Sequence, residues 1–154
     1  MSPNRLLACL LCFAGLILAG CQSYLKTGDI VATVDGLRPV ALAEGRAIVT
    51  LRFVNDSVVP MSFTESTHQL YLNGVLAASF ENKHPVGLAP QTATTREFPI
   101  QLVNPAVLQQ LVAHGPARTA FRLESQMLVQ DGDSKSHFKS QSEGTVALAP
   151  PAAP

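Results

Sequence analysis

The sequence predicts an all-β chain: an antiparallel β-sandwich with one short helix, preceded by an N-terminal signal peptide. Three observations predict it. From Ile30 onward, short runs rich in β-branched and aromatic residues recur at regular spacing, broken by turn residues. Within these runs apolar residues alternate with polar ones, the period of a strand with one covered face. Ahead of them, the apolar run Leu6 to Leu18 ends in Ala19-Gly20 and gives way at once to polar residues.

Taken in order, Ile30 to Leu37 is the first expected strand. The clearest strand is GRAIVTLRFVND, Gly45 to Asp56, ended by Asn-Asp. Its Ala47, Val49, Leu51 and Phe53 form one face and Arg46, Thr50 and Arg52 the other. Ile48 and Val54 interrupt the alternation and imply partial cover on the second face. Thr67 to Glu81 reads as a hairpin, because Asn73-Gly74 tolerates the positive φ of a two-residue turn. Thr92 to Leu102 is a further strand, which Pro99 assigns to an edge or a bulge, since proline donates no ladder hydrogen bond.

Asn104 to Gly115 has a helix pattern, with Asn104 as cap, Pro105 in the first turn and Gly115 as stop; Val107, Leu108, Leu111 and Val112 make its apolar stripe. Thr119 to Gln130 alternates through Phe121, Leu123, Ser125, Met127 and Val129. The turn Asp131-Gly132-Asp133 then leads into Ser134 to Gln141, and Gly144 to Leu148 is the last strand. About seven or eight strands at this spacing suit a two-sheet sandwich. Ala149 to Pro154 is a Pro/Ala tail that cannot pair in a sheet.

The chain has 154 residues, 47% hydrophobic and 14% charged, with 11 basic and 11 acidic side chains and a formal net charge of zero. That length suits one domain. No run of Lys or Arg stands out, so electrostatic attraction to nucleic acid is not expected.

The N-terminus has the three parts of a secretory signal: Arg5, the apolar run, and small residues before a cleavage point at Gly20. The run is shorter than the roughly 20 apolar residues that span a bilayer. Leu18-Ala19-Gly20-Cys21 resembles the bacterial lipobox at all four positions. The resemblance implies that the Cys21 thiolate takes a diacylglyceryl group and that cleavage makes Cys21 the first residue, its amine open to a further acyl group such as palmitate. Residues 1–20 are then signal peptide, and residues 21–29, CQSYLKTGD, a lipidated tether. Two or three acyl chains, each worth on the order of 10 kcal/mol, anchor a protein permanently. Gln22 rather than Asp after the cysteine implies, by resemblance to enterobacterial sorting, an outer-membrane location. Cys9 and Cys12 precede the cleavage point, so the processed chain has no disulfide and relies on packing.

At VTLRFVNDSVVPMSF, Val49 to Phe63, followed by QLYLNGVLAASF, the sequence resembles the type 2 late embryogenesis abundant (LEA) proteins, whose shared unit is the water stress and hypersensitive response (WHy) domain. In that family a strand ends in Asn-Pro-Asn and a Pro-hydrophobic pair opens the next. Here Asn55 and Pro60-Met61 hold the outer places and Asp56-Ser57 the inner ones. The domain expected is residues 30–148, and the resemblance implies a fibronectin type III-like sandwich, an association with desiccation or other stress, and no catalytic residues.

Physically, Asn55 and Asp56 can satisfy backbone groups at the strand end while Pro60 fixes re-entry, so NDSVVP forms a rigid crossing between sheets. Exposed Val58 and Val59 make Asn55, Asp56, Val58, Val59 and Pro60 the candidate interaction loop. A purely structural connection is the simpler reading.

Other chemistry finds little purchase. His68, His84, His114 and His137 lack metal-ligand spacing, and no Cys-x-x-Cys, Gly-x-Ser-x-Gly, phosphate loop or dinucleotide fingerprint occurs. Asp131-Gly132-Asp133 lacks the later ligands of an EF-hand and reads as a hairpin turn. No cofactor, metal or small-molecule substrate is expected. The expectation is a non-enzymatic lipoprotein on the periplasmic face of the outer membrane, with membrane contact through Cys21 and envelope proteins as partners. It either protects labile partners during water loss or serves as accessory subunit of an envelope assembly.

Overall fold

The structure, a computed structural model, describes residues 30–113, 118–131 and 134–148, with only the backbone of Asp131. The signal peptide, Cys21, the tether, His114, Gly115 and the Pro/Ala tail lie outside the described residues.

Eight strands and one α-helix follow in the order β1 (Ile30–Ala41), β2 (Arg46–Asn55), β3 (Met61–Leu72), β4 (Val75–Asn82), β5 (Val86–Leu88), β6 (Thr92–Gln101), α1 (Pro105–Ala113), β7 (Arg118–Asp131) and β8 (Ser134–Ala147). All the strand pairs are antiparallel. One sheet has the order β1-β2-β6 and the other β4-β3-β7-β8, with β5 also on β3. This is the expected all-β sandwich with the fibronectin type III strand order.

Alternation builds the core. Ala47, Val49, Leu51 and Phe53 of β2 are buried while Arg46 and Arg52 face solvent, and Ile48 and Val54 are half-covered. Leu70 and Leu72 of β3 and Leu123, Met127 and Val129 of β7 face them from the second sheet. The sandwich is aromatic at its centre, where the Phe53 ring lies 5.1 Å from that of Phe63 and 6.3 Å from that of Phe98. Such pairs contribute beyond the area they bury.

Local chemistry sets the ends. The Asn73-Gly74 turn takes positive φ at both residues, +48° and +80°, as a type I′ hairpin requires. Asn104 caps α1 by accepting the Ala106 N–H at 3.2 Å, and Leu108 is its fully buried anchor. Pro99 sits on β6, the edge of its sheet, where a missing N–H costs no ladder bond.

The structure departs from the expected boundaries at several points, among them the start of β3 at Met61 rather than Thr67. β1 runs past Leu37 to Ala41, because register shifts between Val34 and Gly36 and between Pro39 and Ala41 absorb the glycine and the proline. β5, three residues long, was too short to show a period; it pairs with Met61–Phe63, beyond the reach of β4. Ser134 to Gln141 and Gly144 to Leu148, expected as two strands, form the single β8. Gly144 does not break it because Phe121, its cross-strand partner, packs on the bare Cα; a Cβ there would sit 3.0 Å from the Phe121 ring.

Candidate functional site

The β2–β3 crossing, residues 56–60, passes from one sheet to the other and is organised by one side chain. Asn55 ends β2 with no solvent exposure. Its Nδ2 donates toward the carbonyls of Val59 at 2.9 Å, Ala89 at 3.1 Å and Leu88 at 3.3 Å. Its Oδ1 accepts the Ser57 N–H at 3.0 Å and lies 2.7 Å from Ser57 Oγ. Ser57 Oγ is also 2.7 Å from the Val59 carbonyl, and it accepts the Val59 N–H at 3.3 Å. One amide therefore closes the loop on itself and ties it to the β5–β6 connection, where Gln91 N–H donates to the Ser57 carbonyl at 3.1 Å. Gln91 takes a positive φ of 53° to do so.

Of the loop residues picked from sequence, Asn55 thus points inward and fixes the loop rather than presenting a surface. Asp56 and Pro60 face solvent, and Val58 and Val59 are 76% and 47% exposed. Sequence reasoning missed the partners Ser57, Leu88 and Ala89. The spacing Asn55-x-Ser57 is a local signal for the first; the other two are more than thirty residues away in the chain, and no local pattern reports them.

A second polar feature lies inside the sandwich. His68 is 1% exposed, with Nδ1 2.8 Å from Ser125 Oγ and Nε2 2.9 Å from Ser66 Oγ. One ring nitrogen donates and the other accepts, so the neutral imidazole is fully satisfied. Rings of Phe53, Phe80 and Phe98 stand 6.0, 5.0 and 5.8 Å from it. Burial pushes its pKa down from 6.5 to about 4. A serine beside a histidine is the geometry of a nucleophile and base; here both are nearly covered, Ser125 at 5% and His68 at 1% exposure, and they border the floor of the outer-face concavity. The period-2 run Ser66, His68, Leu70, Leu72 is the signal that would have placed His68 inside.

The outer face of the larger sheet forms a shallow polar concavity of about 410 Å³, with Thr67, Gln69, Ser79, Glu124, Gln126 and Lys139 in its lining. Beside it the Arg122 guanidinium stacks 4.2 Å from the centre of the Tyr71 ring. His137 is on the same strand as Lys139 and meets Gln126, while His84 is at the β4–β5 turn, donating its N–H to Asn82. Among the described residues no three His, Cys, Asp or Glu side chains are grouped to hold a metal ion, and no helix is long and apolar enough to cross a membrane.

No protein-family model matches the chain, and no curated protein matches it. Solved structures do. The solution structure of At2g46140.1, described as a late embryogenesis abundant (LEA) protein, matches with a TM-score of 0.54 and 14% identity, covering 97% of this chain and 86% of that one. The solution structure of AT1g01470 from Arabidopsis thaliana matches with a TM-score of 0.54 and 15% identity, over 80% of this chain and 82% of that one. At such identities the likeness is one of fold, and it is to an LEA-type β-sandwich that this chain is similar.

Proposed function

We propose that this chain is a non-catalytic, lipid-anchored envelope protein of the LEA type 2 kind, whose sandwich shields labile partners as water is lost. The observation that carries this reading is the LEA-type fold, similar to At2g46140.1 over nearly the whole chain. The polar concavity supports a mechanism. Threonine, serine and glutamine side chains both donate and accept hydrogen bonds, so this face can replace departing water on a partner's surface. Acylation of Cys21 holds the domain on the outer membrane, on its periplasmic face.

The test is direct: residues 21–154 with Cys21→Ser, soluble for lack of lipid, are dried beside a labile enzyme and the activity regained on rehydration is measured. Recovery well above that given by an equal mass of an unrelated β-sandwich is expected, and recovery no better than the control sinks the protective reading. A second reading, an accessory subunit of an envelope assembly, is favoured by β6. This edge strand exposes Thr92, Ala93 and Thr95–Glu97 and could take up a partner's strand. Crosslinking in intact cells that traps one stoichiometric partner would establish it.

A further inference from the structure

The exposed large apolar side chains of the described residues lie at the two ends of the sandwich. Val31, Val58 and Val59 are at one end, and Val40, Val75 and Val103 at the other. The register fixes these places. β1 begins with Ile30 opposite Asn55 and Val31 opposite Val54, whereas Ala41 is opposite Arg46 and Arg46 opposite Gln101. The first end therefore holds the 56–60 loop, the 89–91 connection bonded to it, and the point where the chain enters the domain. Ala89 and Pro90 are exposed there too.

We infer that this end of the sandwich rests on the lipid surface, with Val58 and Val59 seated at the boundary between headgroups and acyl chains. The inference deepens the anchored reading above and rests on it. Nine Cα steps separate Cys21 from Ile30 in the sequence, and at full extension they span at most about 30 Å. A lipid on Cys21 thus holds the entry end of the domain beside the bilayer, and that end carries its apolar residues in a loop that Asn55 keeps rigid. Attraction is apolar rather than electrostatic. The residues 56–60 and 88–91 include one charge, Asp56, and no Lys or Arg. Contact through these residues is therefore expected with zwitterionic lipid as well as with anionic lipid.

Acylation of Cys21 and loss of Cys9 and Cys12 leave the processed chain without a free thiol, so a new cysteine is a unique probe site. The full chain is processed in a bacterial host as Val58→Cys and, separately, as Val103→Cys at the far end. Each is labelled with an environment-sensitive dye and reconstituted in phosphatidylcholine vesicles, with or without phosphatidylglycerol and lipids bearing a shallow quencher. The Val58→Cys probe is expected to shift to shorter wavelength and lose most of its emission to the quencher in both lipid mixtures, while the Val103→Cys probe stays water-like. Two water-like, unquenched probes on protein that floats with the vesicles and carries labelled palmitate would overturn the inference and leave the anchor standing. Protein that neither floats nor takes up palmitate, and a Cys21→Ser precursor processed like the parent, would overturn the anchor and the inference together.

Discussion

Replacing Asn55 with alanine is expected to lower the unfolding free energy by about 3–4 kcal/mol. The side chain has no solvent exposure and lies within bonding distance of three carbonyls, one N–H and one hydroxyl. Alanine would leave the Val59, Leu88 and Ala89 carbonyls and the Ser57 N–H short of a partner in a site that excludes most water. Each such group costs about 1–3 kcal/mol when orphaned, and relaxation of the loop recovers part of the sum. Asn55→Asp separates hydrogen bonding from volume. It keeps the shape but turns the donor into an acceptor facing three carbonyl oxygens, so a loss at least as large is expected. Urea unfolding is the measurement, with the midpoint falling by about 2 M at unchanged slope. A loss below about 1 kcal/mol for both variants would mean that the loop is not held by this amide. Faster hydrogen exchange in residues 56–60 and 89–91 of either variant would locate the damage.

The second large effect is pH-dependent. The neutral His68 is accommodated by two serine hydroxyls among three phenyl rings, and burial, which takes the charged ring out of water, lowers its pKa from 6.5 to about 4. Between these values the unfolded chain binds a proton that the folded chain refuses, so stability falls as pH is lowered. The contribution is complete above pH 6.5, declines from there to pH 4, and is exhausted below that. Between pH 7.5 and 4.5 the loss is about 2–3 kcal/mol from this group. Other groups titrate over the same range, so the quantity to measure is the difference from His68→Gln, which retains hydrogen-bonding capacity but does not titrate. Urea midpoints of the two proteins should converge as pH falls from 7.5 to 4.5. Parallel curves would show that the ring protonates in the folded state without penalty.

Much of the fold was legible because strand patterning is local. The alternation of β2, the inward series on β7, the Asn73-Gly74 turn and the Asn104 cap each depend on neighbours within a few residues, and each is observed as expected. The differences arise where a distant residue overrides a local signal. Gly144 suggests a break until Phe121 is laid across it. Gly36 and Pro39 suggest the end of β1 until edge bulges take them up. β5 has no signal of its own and exists because Met61–Phe63 extends past the end of β4 and offers a free edge.

The site divides in the same way. The sequence marks the NDSVVP loop as a rigid crossing, since turn chemistry is read from contiguous residues. Which side chains of the loop face in and which face out depends on the carbonyls of Leu88 and Ala89, brought there by β5 pairing with β3. The same holds for His68: its period-2 place predicts burial, but only the packing of Ser125 from β7 and Phe98 from β6 makes it a neutral, satisfied ring. By itself, then, the sequence determined the class of fold and most strand faces, because these follow from periodicity and short motifs. The tertiary structure decided the inward turn of Asn55, the outward turn of Val58 and Val59, and their place beside the entry point of the chain. Those depend on which distant backbones meet, and register alone sets that.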